Sequence, residues 1–260
     1  MKLSIITINY NNAVDLEKTI RSVAAQSWKG FEYLVIDGGS KDESIEIIKK
    51  YSGDIDYWVS EKDSGVFNAM NKGITKASGE YLLMLNAGDL LHDETVLEKV
   101  FATGEFNQDI LYCDVLRESM GKIIDKSIFP DVITFQKFRE GSISHQAAFI
   151  KRSLHKLIGL YDEQYKFSAD RIFFMLAFCK YNVSYKHIPL IFSICNCDGL
   201  TCSPENFVAM QQEFDTAAST FFPAFVKDYE RFDAEQKSKL GDFVHDVTGR
   251  IRGKIMQIIR

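Results

Sequence analysis

No apolar run in this 260-residue chain approaches the length of about eighteen residues that crosses a bilayer. The densest, Ile172 to Cys179, has eight residues, so no membrane-spanning helix is expected. The amino terminus offers only six largely apolar residues after Met1-Lys2 before Asn9, Asn11 and Asn12, which is too little for a secretory leader. Glycine is missing where a dinucleotide-binding turn needs it. The first apolar run ends in Ile8-Asn9-Tyr10-Asn11-Asn12, with no Gly-x-Gly-x-x-Gly, which counts against a nucleotide-dependent oxidoreductase. The five cysteines are odd in number and show no Cys-x-x-Cys spacing. Cys195, Cys197 and Cys202 lie close together, yet His187 is the only histidine near them, so neither a disulfide framework nor a zinc site is expected. The plain reading is a reduced, cytoplasmic protein. Positive charge is also short: a net charge of −5 gives no general attraction to nucleic acid. Internal repeats and low-complexity tracts are absent.

What the chain does contain is ample material for one large core, with 46% hydrophobic and 13% aromatic residues. Leu3 to Ile8 is a continuous apolar run, the pattern of a strand buried on both faces. Ala13 to Gln26 carries Leu16, Ile20, Val23 and Ala24 at helical spacing. Strands then follow at Phe31 to Ile36, Ile55 to Val59 and Tyr81 to Leu85, separated by helices at Asp42 to Tyr51 and Gly65 to Lys76. This alternation predicts an α/β fold: a Rossmann-like, mostly parallel sheet with helices on both faces. The second half is less regular. Strands are expected at Asp109 to Val115, Lys122 to Ile128 and His145 to Ile150, and paired short strands over Val183 to Ile194 with a turn at Pro189. Helices are expected near Asp131 to Arg139 and over Ser168 to Tyr181. From Pro204 onward the pattern is helical and more charged, a C-terminal helical segment.

Two strands end in a carboxylate beside glycine: Phe31 to Ile36 in Asp37-Gly38-Gly39-Ser40, and Tyr81 to Leu85 in Asn86-Ala87-Gly88-Asp89. Such turns sit at the carboxyl edge of an α/β sheet, where ligands bind, so a nucleotide and metal site is the leading expectation. Thr7, Asn9 and Tyr10 close the first strand and are placed to frame a base. Asp37 is an acceptor-only group suited to a ribose hydroxyl or base N–H, or else to capping the helix that follows. Asn68, Asn71 and Lys72 stand at i, i+3 and i+4 on one helix face, either lining a ligand site or simply solvated.

The ordered set SIITINYN, VIDGGSKDES, SEKDSGVFNAMNKGI and GEYLLMLNAGD resembles the nucleotide-sugar half of the family 2 glycosyltransferases of GT-A fold. HQAAFI, FSADRIFF and CDGLT resemble the acceptor half of that family. The resemblance covers roughly residues 2 to 202. It implies one transferase domain over 1–202, divided into a donor half (1–103) and an acceptor half (104–202), with a helical extension over 203–260.

It also implies an inverting glycosyltransferase that moves a sugar from a nucleotide-sugar donor, UDP-linked first among the options. The hydroxyl of a glycan or lipid-linked acceptor in surface polysaccharide synthesis would receive the sugar. In that frame Gly38 belongs to the donor-nucleotide site and Asp63 contacts the base. Asp89 binds a divalent cation, Mn²⁺ or Mg²⁺, that offsets charge on the departing diphosphate. The family's usual motif there is Asp-x-Asp or Asp-x-Asp-Asp. Here Asn86 and Gly88 hold the first two acidic positions, as in one subset of the family, so the metal site is expected to be weak.

Asp170 matches the family's acidic residue before the acceptor-side helix and is the expected general base. A first-turn aspartate is also favoured by the helix dipole alone. Arg171 would pair with a phosphate or an acidic acceptor, or damp the basicity of Asp170. His145 and Gln146 would orient acceptor or diphosphate, with His145 a further metal ligand or a structural residue. Gly199 and Thr201 would belong to a loop folding over the donor. The terminal RIRGKIMQIIR is basic and apolar, suited to peripheral contact with the inner face of an anionic membrane or to a packing or homodimer helix.

The competing reading is a catalytically weak nucleotide-sugar-binding module. A nucleotidyltransferase would need a glycine-rich amino-terminal loop with arginine, which this chain does not have.

Overall fold

The computed structural model describes residues 3–101, 106–199 and 203–235. In chain order the elements are β1 (Leu3–Asn9), α1 (Ala13–Ala24), β2 (Phe31–Asp37), α2 (Ser44–Lys50), β3 (Tyr57–Ser60), α3 (Val66–Lys76), β4 (Tyr81–Met84), β5 (Leu90–Leu91) and α4 (Val96–Phe101). The second half adds β6 (Ile110–Ser119), β7 (Lys122–Ser127), α5 (Phe135–Glu140), β8 (Ala148–Lys151), α6 (Leu154–Leu157), α7 (Ala169–Cys179), β9 (Tyr185–Asn196) and α8 (Phe207–Phe221). A further helix covers 223–235.

Among the described residues nine strands join one sheet in the order β3-β2-β1-β4-β8-β6-β9-β5, with β7 a hairpin partner of β6. β1 is buried at every residue, so both of its faces are covered. Its three polar side chains survive burial because each has a partner. Ser4 donates to Glu32, Thr7 donates to the Leu85 carbonyl, and Asn9 donates to Asp37. The parallel expectation holds for β3-β2-β1-β4 and for β6 with β9. β8 runs antiparallel between β4 and β6, and β5 runs antiparallel to β9. The join between the halves is therefore mixed.

Two sequence expectations change. Val183 to Ile194 is not a pair of strands turning at Pro189 but part of one strand, Tyr185–Asn196. Its register against β6 jumps from Cys113–Ile188 to Asp114–Ile191, leaving Pro189 and Leu190 in a bulge. Proline lacks the N–H that a ladder needs, and the bulge removes that need without ending the strand. His145–Ala147 is a 3-10 turn, and the strand expected from His145 begins at Ala148.

The described residues up to Glu213 form one compact unit and those from Phe214 to Glu235 belong to a second. The boundary expected at 202/203 falls inside the first unit. One physical reason lies in Glu213, whose carboxylate accepts the N–H groups of Lys166, Phe167 and Ser168 at 2.8, 2.9 and 3.0 Å. The middle of α8 is thereby tied to the residues entering α7.

Candidate active site

The carboxyl ends of β1, β2 and β4 open onto a cavity of about 1160 Å³, large enough for a nucleotide sugar. Its floor at the β1–β2 end is built around Gly38. A Cβ there would lie 2.4 Å from Asp63 Oδ2 and 3.2 Å from the Tyr10 ring, so only glycine lets these two side chains close on the turn. Tyr10 is 64% exposed. Asp63 receives the Gly65 N–H at 3.1 Å through Oδ1, and its Oδ2 is the atom that fills the space over Gly38. A flat ring opposite a carboxylate is an arrangement that grips a nucleobase by its face and by an N–H. Asn9 also reaches the wall, although its amide already donates to Asp37, Ser40 and Ser44.

Asp37 does not face this cavity. It is 0% exposed, and its two oxygens accept five donors: Asn9 Nδ2, the backbone N–H groups of Gly39 and Ser40, and the hydroxyls of Ser40 and Ser60. Burial pushes its pKa up, but those hydrogen bonds outweigh burial and hold it below the usual carboxylate range. Its role is to shape the turn that carries Gly38. Thr7 is likewise turned inward, bonded to Leu85 and Tyr33.

On α3, Asn68 lines the cavity and Asn71 does not. Asn71 is buried, donating to the Tyr161 carbonyl at 2.8 Å while accepting the Tyr161 N–H at 3.0 Å. Both asparagines also donate to Glu163, as does Ser64. Lys72 pairs with Glu61 at 2.9 Å. Glu163, Tyr165 and Lys166 form the wall contributed by the acceptor half. Sequence reading missed all three, because residues 158–167 have no hydrophobic period to anchor them. The polar cluster Asp162-Glu163-Gln164 was the one available cue. Lys41 and Lys62, on the donor side of the wall, were missed for the same reason.

The carboxyl end of β4 carries Asn86 and Ala87 on the cavity wall. Asn86 Nδ2 lies 3.3 Å from His145 Nε2, and His145 Nδ1 lies 2.8 Å from Asp170 Oδ2. Three residues from β4, the turn before β8 and the first turn of α7 thus form one chain of contacts. The Asp170 side chain is 18% exposed. Burial pulls the His145 pKa down, but the hydrogen bond and charge of Asp170, with the charge of Asp89, more than compensate and leave it raised.

Asp89 is turned away from the cavity. It is 3% exposed; its Oδ1 accepts the Asn196 N–H at 3.0 Å, and Gln146 hydrogen-bonds to it as well. Burial raises its pKa to about 6, against the lowering effects of His145 and these hydrogen bonds. The turn is held in that pose by Gly88, at φ +104, where a Cβ would meet the Asn196 amide at 2.8 Å.

Magnesium and manganese favour several hard oxygen ligands. At this strand end one former acid is an amide, one has no side chain, and the third is spent on β9. No group of three His, Cys, Asp or Glu suited to a metal occurs among the described residues. These residues do not fit a cation held by the protein.

Other expected contacts also resolve differently. Arg171 is buried, with Nε on the Phe138 carbonyl at 2.8 Å and Nη2 on the Phe138 and Arg139 carbonyls. It anchors α7 to α5 rather than meeting a phosphate. Gln146 bonds Ser144 and Asp89 instead of standing in the cavity. Gly199 has open space around it, while Thr201 and the basic 250–260 segment lie outside the described residues.

The glycosyl transferase family 2 model matches residues 4–161. An uncharacterised glycosyltransferase of Mycobacterium tuberculosis is 31% identical over 219 residues, covering 82% of this chain and 75% of its own. A Mycobacterium bovis glycosyltransferase of PGL/p-HBAD biosynthesis is 34% identical over 172 residues, covering 64% and 66%. The crystal structure of Staphylococcus aureus TarS 1-349 in complex with UDP superposes with a TM-score of 0.66 at 22% identity, covering 84% of this chain and 66% of that one. Sequence match and GT-A architecture agree: the chain belongs to glycosyl transferase family 2.

Proposed function

We propose that this glycosyltransferase moves a sugar from a nucleotide donor, UDP-linked, to a hydroxyl of a glycan or lipid-linked acceptor in surface polysaccharide or glycolipid synthesis, with inversion at the anomeric carbon. Relatives named for glycolipid synthesis and for poly(ribitol-phosphate) N-acetylglucosaminyl transfer support the acceptor class. TarS structures with UDP and UDP-GlcNAc support the donor class.

The observation that carries the reading is the chain Asn86–His145–Asp170, which joins the end of β4 in the cavity wall to a largely buried carboxylate, 18% exposed, at the start of α7. In this reading the base and diphosphate occupy the space from Tyr10, Gly38 and Asp63 toward Asn86. Asp170 takes the proton from the acceptor hydroxyl as that oxygen attacks the anomeric carbon opposite the leaving nucleotide. His145 holds one Asp170 oxygen, which restricts the carboxylate to a single orientation. The acceptor-half wall of Glu163, Tyr165 and Lys166 narrows the mouth and limits water at the anomeric centre.

Asp170→Asn tests the assignment, since it keeps the shape and removes the base. Transfer is expected to fall by about 10²–10⁴-fold, while nucleotide affinity measured by calorimetry stays within about twofold. Transfer retained at wild-type rate would remove Asp170 from the chemistry. Loss of nucleotide binding along with transfer would mark it as a structural residue of the donor site.

A further inference from the structure

We infer that the negative charge of the donor's diphosphate is met in this chain by a lysine triad, Lys41, Lys62 and Lys166, without a protein-held divalent cation. This rests on the nucleotide-sugar reading above and departs from the metal expected of the family.

Two independent observations converge. The first is the state of the β4 turn: Asn86 offers an amide, Gly88 offers nothing, and the Asp89 carboxylate is buried on the Asn196 N–H. The second is the charge of the cavity wall. Lys41 from the β2–α2 turn, Lys62 from the β3–α3 loop and Lys166 from the acceptor half all line it. None of the three ammonium groups is ion-paired with a carboxylate among the described residues. Lys72 nearby shows the contrast, being spent on Glu61 at 2.9 Å and on the Lys62 carbonyl at 3.1 Å.

The wall's two acids offset only part of the triad. Glu163 stays charged, since the hydrogen bonds of Asn71, Asn68 and Ser64 hold its pKa below the usual carboxylate range, and Asp63 receives the Gly65 N–H. Three cations against two carboxylates leave the wall positive although the chain as a whole carries −5. Lysine is a compact point charge on a flexible stem and binds phosphate without demanding bidentate geometry. Three such stems arriving from three separate segments can follow a diphosphate as it changes from ester to leaving group.

The test is calorimetry of UDP and of uridine, each in EDTA and in Mn²⁺, on the wild type and on the Lys41→Gln/Lys62→Gln/Lys166→Gln variant. UDP affinity is expected to agree within about threefold between EDTA and Mn²⁺. The variant should lose at least tenfold in UDP affinity, keep its uridine affinity, and flatten the salt dependence of UDP binding. The matching Lys→Arg triple variant should retain most of the UDP affinity, which separates charge from folding. UDP binding abolished by EDTA and restored by Mn²⁺ would overturn the inference, as would a variant that keeps the wild-type preference of UDP over uridine. Failure of both uridine and UDP to bind in either condition would instead remove the nucleotide site itself, and this inference with it.

Discussion

Gly38 has no side chain because Asp63 occupies the space that a methyl group would need. That single contact decides more about the nucleotide end of the site than Gly39 beside it does. Gly38→Ala forces the Asp63 carboxylate, 2.4 Å from the new Cβ, to move away, and the Tyr10 ring at 3.2 Å to give slightly. Nucleotide affinity is expected to drop about tenfold, with the melting temperature shifted by no more than a few degrees. Calorimetry with UDP beside a thermal melt checks both halves of that expectation. An unchanged affinity would show that the base binds elsewhere in the cavity. The residue scale also shows why a carboxylate at a strand end is an ambiguous sign. Asp37 and Asp89 both follow the pattern of a ligand-binding acid, and both are consumed by the protein. The spacing of acids in the chain is visible in sequence; the donors that saturate them are not. Asn9 reaches Asp37 across 28 positions, and Asn196 reaches Asp89 across 107.

Among the elements, the pairing of α3 with residues 158–167 joins the two halves of the transferase unit. Asn71 is the rivet, since its amide satisfies both the N–H and the carbonyl of Tyr161. Removing a buried group of this kind strands two backbone partners, each costing about 1–3 kcal/mol when left unpaired. Asn71→Ala should therefore lower stability by about 2–4 kcal/mol in denaturant unfolding. It should also open the 158–167 segment to limited proteolysis before the rest of the unit is cut. Cleavage that begins elsewhere would show that the segment is held mainly by Glu163 and Glu213. The helix α7 illustrates the same dependence. Its N-cap Ser168 makes no side-chain capping bond, and the carboxylate of Glu213 takes the N–H groups before it. Helical periodicity in the sequence located α7 to within two residues at either end. The carboxylate that holds its entry came from a helix 45 to 47 positions away along the chain, outside any local pattern.

Over the whole molecule, acid stability should carry the mark of His155. This residue of α6 is buried and stacks on Phe173 of α7 with ring centroids 4.6 Å apart. Burial pulls its pKa down to about 4. Between that value and about 6.5 the unfolded chain takes a proton that the folded chain refuses, so stability falls as pH drops through this window and is fully recovered above it. His155→Phe keeps the stacking and removes the proton site. The difference in melting temperature between pH 7.5 and pH 5 should shrink by roughly 5 °C. A difference as large as in the wild type would shift the cause to other groups. The sheet itself was legible in part. The continuous apolar runs of β1, β2 and β4 announced buried parallel strands, and they pair in that way. The insertion of β8 between β4 and β6 was not legible, because strand order is decided by chain-distant pairing rather than by any run of residues.

The succession of strands and helices in the donor half, the positions of the glycine-rich turns and the family were all readable along the chain. Each of these rests on local spacing or on motifs read in order. Which of the motif residues face the cavity depended on long-range packing. It turned Thr7, Asp37, Asn71, Asp89 and Arg171 inward and brought Glu163, Tyr165 and Lys166 to the cavity wall. It also joined Asn86, His145 and Asp170 across three elements. The physical reason is that a polar side chain goes where its partners satisfy it, and in this fold those partners come from segments tens of residues apart.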